Sequence, residues 1–103
     1  MPAIISVHIW RPAPGQQQTF LAGAAAAKKI HERLGGKVRL RATQFGGSPM
    51  SYVYAVEYDS WAAFGAFGAA LEADAEWQAF WQAAQANPTS ELVSSAVMVE
   101  VAV

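Results

Sequence analysis

Lys37–Tyr58, KVRLRATQFGGSPMSYVYAVEY, is the stretch whose reading decides the fold. Its first part alternates Lys37, Arg39 and Arg41 with Val38, Leu40 and Ala42, the period-two pattern of a half-buried strand. Gly46-Gly47-Ser48-Pro49 supplies a turn, and Met50–Tyr58 (MSYVYAVEY) resumes in β-branched and aromatic residues. Lys37–Phe45 and Met50–Tyr58 therefore predict a hairpin.

A helical pattern flanks the hairpin on each side. Before it, Gln16–Leu34 repeats Phe20, Gly23, Ala27, Ile30 and Leu34 at three- and four-residue spacing, and Gly35-Gly36 stops it. Lys28, Lys29 and Arg33 fall in its last turns, where cations suit the negative end of a helix. After the hairpin, Asp59-Ser60 caps a helix beginning at Trp61, with Trp61, Phe64, Gly68 and Leu71 as its expected stripe. Around Ala73-Asp74 that helix is expected to break and restart, with Asp74 as the new N-cap and Glu76 in the first turn. Asn87-Pro88 closes it. Ile4–Trp10 (IISVHIW), ended by Pro12, Pro14 and Gly15, reads as the first strand, and Leu92–Val103 as the last. Strand, helix, strand, strand, helix, strand predicts an α+β, ferredoxin-like fold over residues 1–103 as one domain. Its four-stranded antiparallel sheet is expected in the order 4-1-3-2, with the helices on one face.

Composition limits the function classes. The 103 residues are 53% hydrophobic and only 15% charged, which leaves apolar surface for a partner. A second copy of the chain is the simplest one. A net charge of −1 gives no electrostatic case for nucleic acid or an anionic membrane. The chain has no cysteine, so disulfides, thiolate nucleophiles and cysteine metal sites are excluded. Met1–Pro12 has no basic start and carries His8, Trp10 and Arg11 in its apolar part, unlike a signal peptide. No polar-free stretch, Phe20–Ala27 included, is long enough to span a bilayer. A cytoplasmic location is the default expectation.

Tyr58-Asp59-Ser60-Trp61, then Leu71-Glu72-Ala73-Asp74 and Glu76-Trp77-Gln78, resembles the broken helix of the dimeric α/β-barrel superfamily. That group holds small cofactor-free monooxygenases of the antibiotic-biosynthesis type, muconolactone-isomerase-like proteins and NIPSNAP-like domains. Ala75 stands where the family's "D-P-E-W" restart has proline. The resemblance covers the whole chain in element order and only Asp59–Phe80 in detail, and those residues are structural. It implies a homodimer in which two sheets face each other as a barrel, with a pocket between sheet and helices in each subunit. Heme-degrading members use an asparagine on the first strand, and Ile4–Trp10 contains none, which argues against heme degradation.

His31 is the first candidate for catalysis. With Ala27 at the centre of the buried stripe, a step of about 100° puts His31 about 40° off centre, partly toward the space between helix and sheet. A neutral imidazole there is a base near neutral pH; at the helix edge beside Glu32 and Arg33 it is only a boundary residue. His8 shares a strand side with Ser6 and Trp10, opposite Ile5, Val7 and Ile9. Tyr52, Tyr54 and Tyr58 form a similar set on the third strand. If both sets face away from the helices, His8, Trp10 and Tyr52 line the dimer interface; the register decides.

Trp61, Phe64, Trp77, Phe80 and Trp81 are either core or the wall of a pocket. The small residues Ala22–Ala27, with Gly65 and Gly68, leave two outcomes open: close helix packing, or a cavity bordered by those aromatics. Lys37, Arg39 and Arg41 on an edge strand discourage strand addition. No metal site is expected, because the two histidines lie 23 residues apart with no carboxylate at ligand spacing. Ser48 sits in a hairpin, not at a strand-to-helix elbow, and no glycine-rich loop opens a helix.

The leading expectation is a small enzyme acting on an apolar, aromatic small molecule without a cofactor. Cofactor-independent oxygenation is the reaction that the resemblance implies. His31 would take a phenolic proton, Tyr54 would orient the substrate, and Trp61, Phe64 and Trp77 would wall the pocket. The alternatives are a non-catalytic module binding a hydrophobic ligand or a partner, and an isomerase or cyclase working by proton transfer.

Overall fold

Four strands and three helices follow in the order β1 (Ile4–Pro12), α1 (Gln17–Arg33), β2 (Lys37–Ala42), β3 (Tyr52–Tyr58), α2 (Trp61–Ala73), α3 (Ala75–Ala86) and β4 (Ser90–Val99). These positions come from a computed structural model that describes residues 3–103; Met1 and Pro2, at the head of the 1–103 span, lie outside the described residues. The sheet runs β2-β3-β1-β4 with all neighbours antiparallel, the expected order and the ferredoxin-like α+β arrangement.

Local chemistry sets the joints. Gly35, at φ 103°, takes the left-handed position that ends α1, a backbone state costly for other residues. At Gly36 a β-carbon would come within 2.6 Å of Val56 Cγ1, so only glycine lets β2 start this close to β3. Ser60 caps α2 by accepting from the Ala63 N–H at 3.0 Å. Asp74 ends α2 in an extended conformation and caps α3, accepting from the Trp77 N–H at 2.8 Å. Arg33 at the end of α1 donates to both Asp74 oxygens, at 3.0 and 2.9 Å, and to Glu76 at 2.8 Å, which ties α1 to the break. That guanidinium and the Trp77 N–H hold the Asp74 carboxyl below its usual range.

The register assigns the two sheet faces. Ile4 pairs with Tyr58, Ser6 with Val56, His8 with Tyr54 and Trp10 with Tyr52, so these residues share a face. Val38 and Leu40 join them from β2. Ile4, Val38, Tyr54, Val56 and Tyr58 form the buried core with Ala27 of α1 and Phe67 of α2, so this face carries the helices. The other face presents Ile5, Val7 and Ile9 of β1, Val53, Ala55 and Glu57 of β3, and Lys37, Arg39 and Arg41 of β2.

Two expectations are corrected, and one open alternative is narrowed. His8, Trp10 and Tyr52 do not turn away from the helices; they lie on the helix-bearing face. Alternation separates the two sets without saying which is inside, and here the inward set is the more polar. The α2 stripe is rotated. Ala63, Phe64, Phe67 and Leu71 pack on the core, with Phe67 buried, while Trp61 is 59% exposed and Gly68 is exposed. Finally, a β-carbon at Gly23, Gly65 or Gly68 would meet nothing within 4 Å, so these glycines mediate no close helix packing.

Candidate functional site

Four elements place a row of polar side chains on the helix-bearing face. His31, one turn past Ala27 on α1, is buried at 8% exposure, and its Nδ1 lies 2.6 Å from the Tyr54 hydroxyl on β3. Tyr54 pairs across the ladder with His8 of β1, and His8 pairs with Ser95 of β4. His8 Nδ1 lies 2.8 Å from Ser95 Oγ, at an exposed position. The row thus runs from the closed interior at His31 to the open edge of the sheet at Ser95.

Aromatic rings close the inner end. The Trp77 ring lies 4.6 Å from the imidazole centroid to centroid, while Phe67 and Tyr54 meet it edge-on at 5.5 Å each. Burial in this cage, and secondarily the charge of His8, lowers the His31 pKa to about 4. Burial lowers His8 as well. Tyr54 is pushed up, chiefly by burial and then by Glu32 and Tyr58. At neutral pH the pair is therefore a neutral imidazole and a neutral phenol sharing one hydrogen bond. With the proton on Tyr54, the hydroxyl donates to Nδ1 and Nε2 carries hydrogen. With the proton on Nδ1, the imidazole donates to the tyrosine oxygen and the Nε2 lone pair is free to accept.

The other candidates fall in different places. Tyr52 accepts a hydrogen bond from Gln17 and packs on Phe20 at 5.2 Å, which holds the start of α1 to the sheet. Trp10 packs half-buried on the core cluster. Trp61 touches Phe64, and Phe64 meets Tyr58 edge-on at 5.2 Å. Trp77 stands apart from both, against His31, so the three residues expected to wall a pocket are not gathered around one space. Two concavities lie elsewhere. One of 80 Å³ is lined by Ile5, Ala55, Glu57 and the cationic row on the outer face, and one of 390 Å³ lies along α3. No group of three or more metal-ligating side chains occurs among the described residues.

Sequence reasoning missed Ser95 and Phe67. Ser95 reaches His8 because the β1–β4 ladder slips at Ile9/Trp10, an irregularity that no spacing in β4 announces. Phe67 was legible in principle, since it is four residues from Ala63 and from Leu71.

Comparison with known proteins supports the architecture. No family model matches the chain, and no curated protein matches its sequence. Among solved structures, a NIPSNAP family protein with unknown function from Agrobacterium tumefaciens superposes with a TM-score of 0.73 at 18% identity, over 95% of this chain and 87% of that one. A dimeric ferredoxin-like protein from an uncultured marine organism gives 0.71 at 18% identity, over 99% and 98%. An antibiotic-biosynthesis-monooxygenase-like protein from Chloroflexus aurantiacus gives 0.62 at 17% identity, over 97% and 94%. The chain is ferredoxin-like, with NIPSNAP and monooxygenase-like proteins as structural neighbours. No helix among the described residues is long and apolar enough to cross a membrane.

Proposed function

We propose that this chain is a homodimeric small-molecule-binding domain. It takes an apolar, aromatic molecule against the His31–Tyr54 pair, and its reaction is cofactor-independent oxygenation. The observation that carries this reading is the 2.6 Å contact between a caged imidazole and a tyrosine, in line with an open His8–Ser95 end. Dry surroundings strengthen every charge that forms there.

The chemistry suits a phenol with a hydrogen on its para carbon. Nε2 of His31, in the Nδ1–H form, accepts the phenolic proton. The imidazolium so formed is unstable in the cage alone, but an adjacent phenolate stabilises it, so proton transfer is confined to the loaded site. The phenolate gives one electron to dioxygen, and the two radicals combine to form a carbon–oxygen bond. The peroxide takes the proton back from His31. Loss of water, with the para hydrogen and the outer peroxide oxygen, leaves a quinone. One substrate and one dioxygen thus give one quinone and one water.

The dimer reading rests on the outer sheet face. On β1 the outward residues Ile5, Val7 and Ile9 are more apolar than the inward Ser6 and His8, and no helix covers them. A second copy placed face to face removes that surface from water. The dimeric ferredoxin-like neighbour is consistent with this.

A second reading is favoured by how tightly the cage closes. With His31 only 8% exposed, the pair would be a structural lock in a non-catalytic ligand-binding module. Oxygen uptake with a panel of 1-naphthols and 9-anthrols, which carry a hydrogen para to the hydroxyl, separates the two. Turnover in the native protein that His31→Ala abolishes supports the oxygenase. Absence of turnover, with equal ligand affinity in native protein and variant, supports the module.

A further inference from the structure

The second concavity involves a surface that the proposed chemistry does not use. Helix α3 has no fully buried residue, yet it carries Trp77 and Trp81 stacked at 5.7 Å between ring centroids with planes 16° apart. With Gln78, Gln82 and Gln85, and Glu72 from the end of α2, they line a cleft of 390 Å³. The spacing explains the grouping. Residues 77, 81 and 85, and residues 78 and 82, form two adjacent four-residue rows on one helix face. Gln78 donates to the backbone carbonyl of Glu72, which joins the α2 side of the cleft to the α3 side.

We propose that this cleft binds a saccharide, a neutral ring rich in hydroxyl groups. An indole face carries negative quadrupole charge, so it attracts the C–H side of a pyranose ring and gains apolar contact from it. Glutamine amides both donate and accept, as hydroxyl groups do, so Gln82 and Gln85 can satisfy either sense of a sugar hydroxyl. The lining has no cation, so carboxylates and phosphates find no counter-charge. A quaternary ammonium would meet a single carboxylate and two rings lying parallel, not a cage around it. Trp81, 37% exposed, offers the free platform, while Trp77 is held from behind by His31. Trp77 is shared with the His31 cage, whereas Trp81, Gln82 and Gln85 take no part in the chemistry assigned to His31.

The test follows the indole N–H signals of the native protein by NMR during titration with the methyl glycosides of glucose, galactose and mannose, and separately with choline chloride. At least one glycoside is expected to shift the Trp77 and Trp81 signals saturably, with choline giving no saturable shift. Trp81→Ala should weaken that binding roughly tenfold or more. Gln82→Ala, an exposed change that keeps the platform, should weaken it by a smaller factor. The inference is overturned if no glycoside shifts these signals, if the shift survives both substitutions, or if choline binds instead. None of those results bears on oxygen uptake through His31, which stands or falls separately.

Discussion

The two margins of the sheet are finished differently. Toward β2 and β3 the helix-bearing face is closed: Val38, Tyr54, Val56 and Tyr58 are buried under α1 and α2, and His31 is locked to Tyr54. At β4 no described residue covers either side. Leu92 and Val97 on the helix-bearing face are 47% and 48% exposed, and Met98 on the outer face is 48% exposed. A single chain thus builds a dry, polar-lined interior and leaves it beside an apolar strand still in water. Under the proposed function the titratable pair and the unfinished margin belong to one design, which a second copy and a small molecule would complete.

The comparison can be broken most forcefully on the outer face. Val7→Asp places a charge amid Ile5, Ile9 and Ala55, and an uncompensated charge at a buried interface costs about 3 kcal/mol or more. Sedimentation should show a dimer for the native protein and a folded monomer for the variant. An unchanged dimer would move the interface elsewhere.

The closed side is probed by Tyr54→Phe, which leaves His31 Nδ1 buried without its partner. The expected loss is about 1–3 kcal/mol in urea unfolding, with an unchanged dependence on denaturant. A neutral result would mean that the imidazole finds another partner.

Acid tests the same side. The His31 pKa is lowered on folding, so the unfolded chain binds more protons between about pH 6.5 and 4. Stability from this group is therefore complete above about pH 6.5 and is lost as pH falls toward 4, on the order of 1–3 kcal/mol. His8 adds in the same direction. His31→Phe should flatten the decline in melting temperature over that window, and an equally steep decline would exclude His31 as its source.

The smallest effect tests the frame that holds both margins. Ser60→Ala removes the cap of α2 and should cost about 1 kcal/mol, a few degrees in melting temperature, without altering the dimer. Thermal unfolding followed by circular dichroism measures it.

Much of this architecture was legible because it depends on local chemistry. The Lys37–Tyr58 hairpin, the Ser60 cap and the restart at Asp74 each follow from a few neighbouring residues, and the order β2-β3-β1-β4 follows from the connections between them. The site was legible only in part. His31 lay near the stripe and Tyr54 lay on a strand, but their meeting depends on which face of β3 turns inward, and period-two alternation is symmetric on that point. Ser95 depends on the ladder slip at Ile9/Trp10, and the Arg33–Asp74 tie joins residues 41 positions apart. The Trp61 expectation failed because α2 has apolar residues all round, so spacing alone leaves its rotation undecided.

The most direct measurement is an NMR titration of the His31 imidazole with and without a bound phenol such as 4-nitrophenol. The account predicts a free pKa near 4 that rises when the phenol is bound, because the phenolate stabilises the imidazolium. A pKa unchanged by saturating phenol would contradict it.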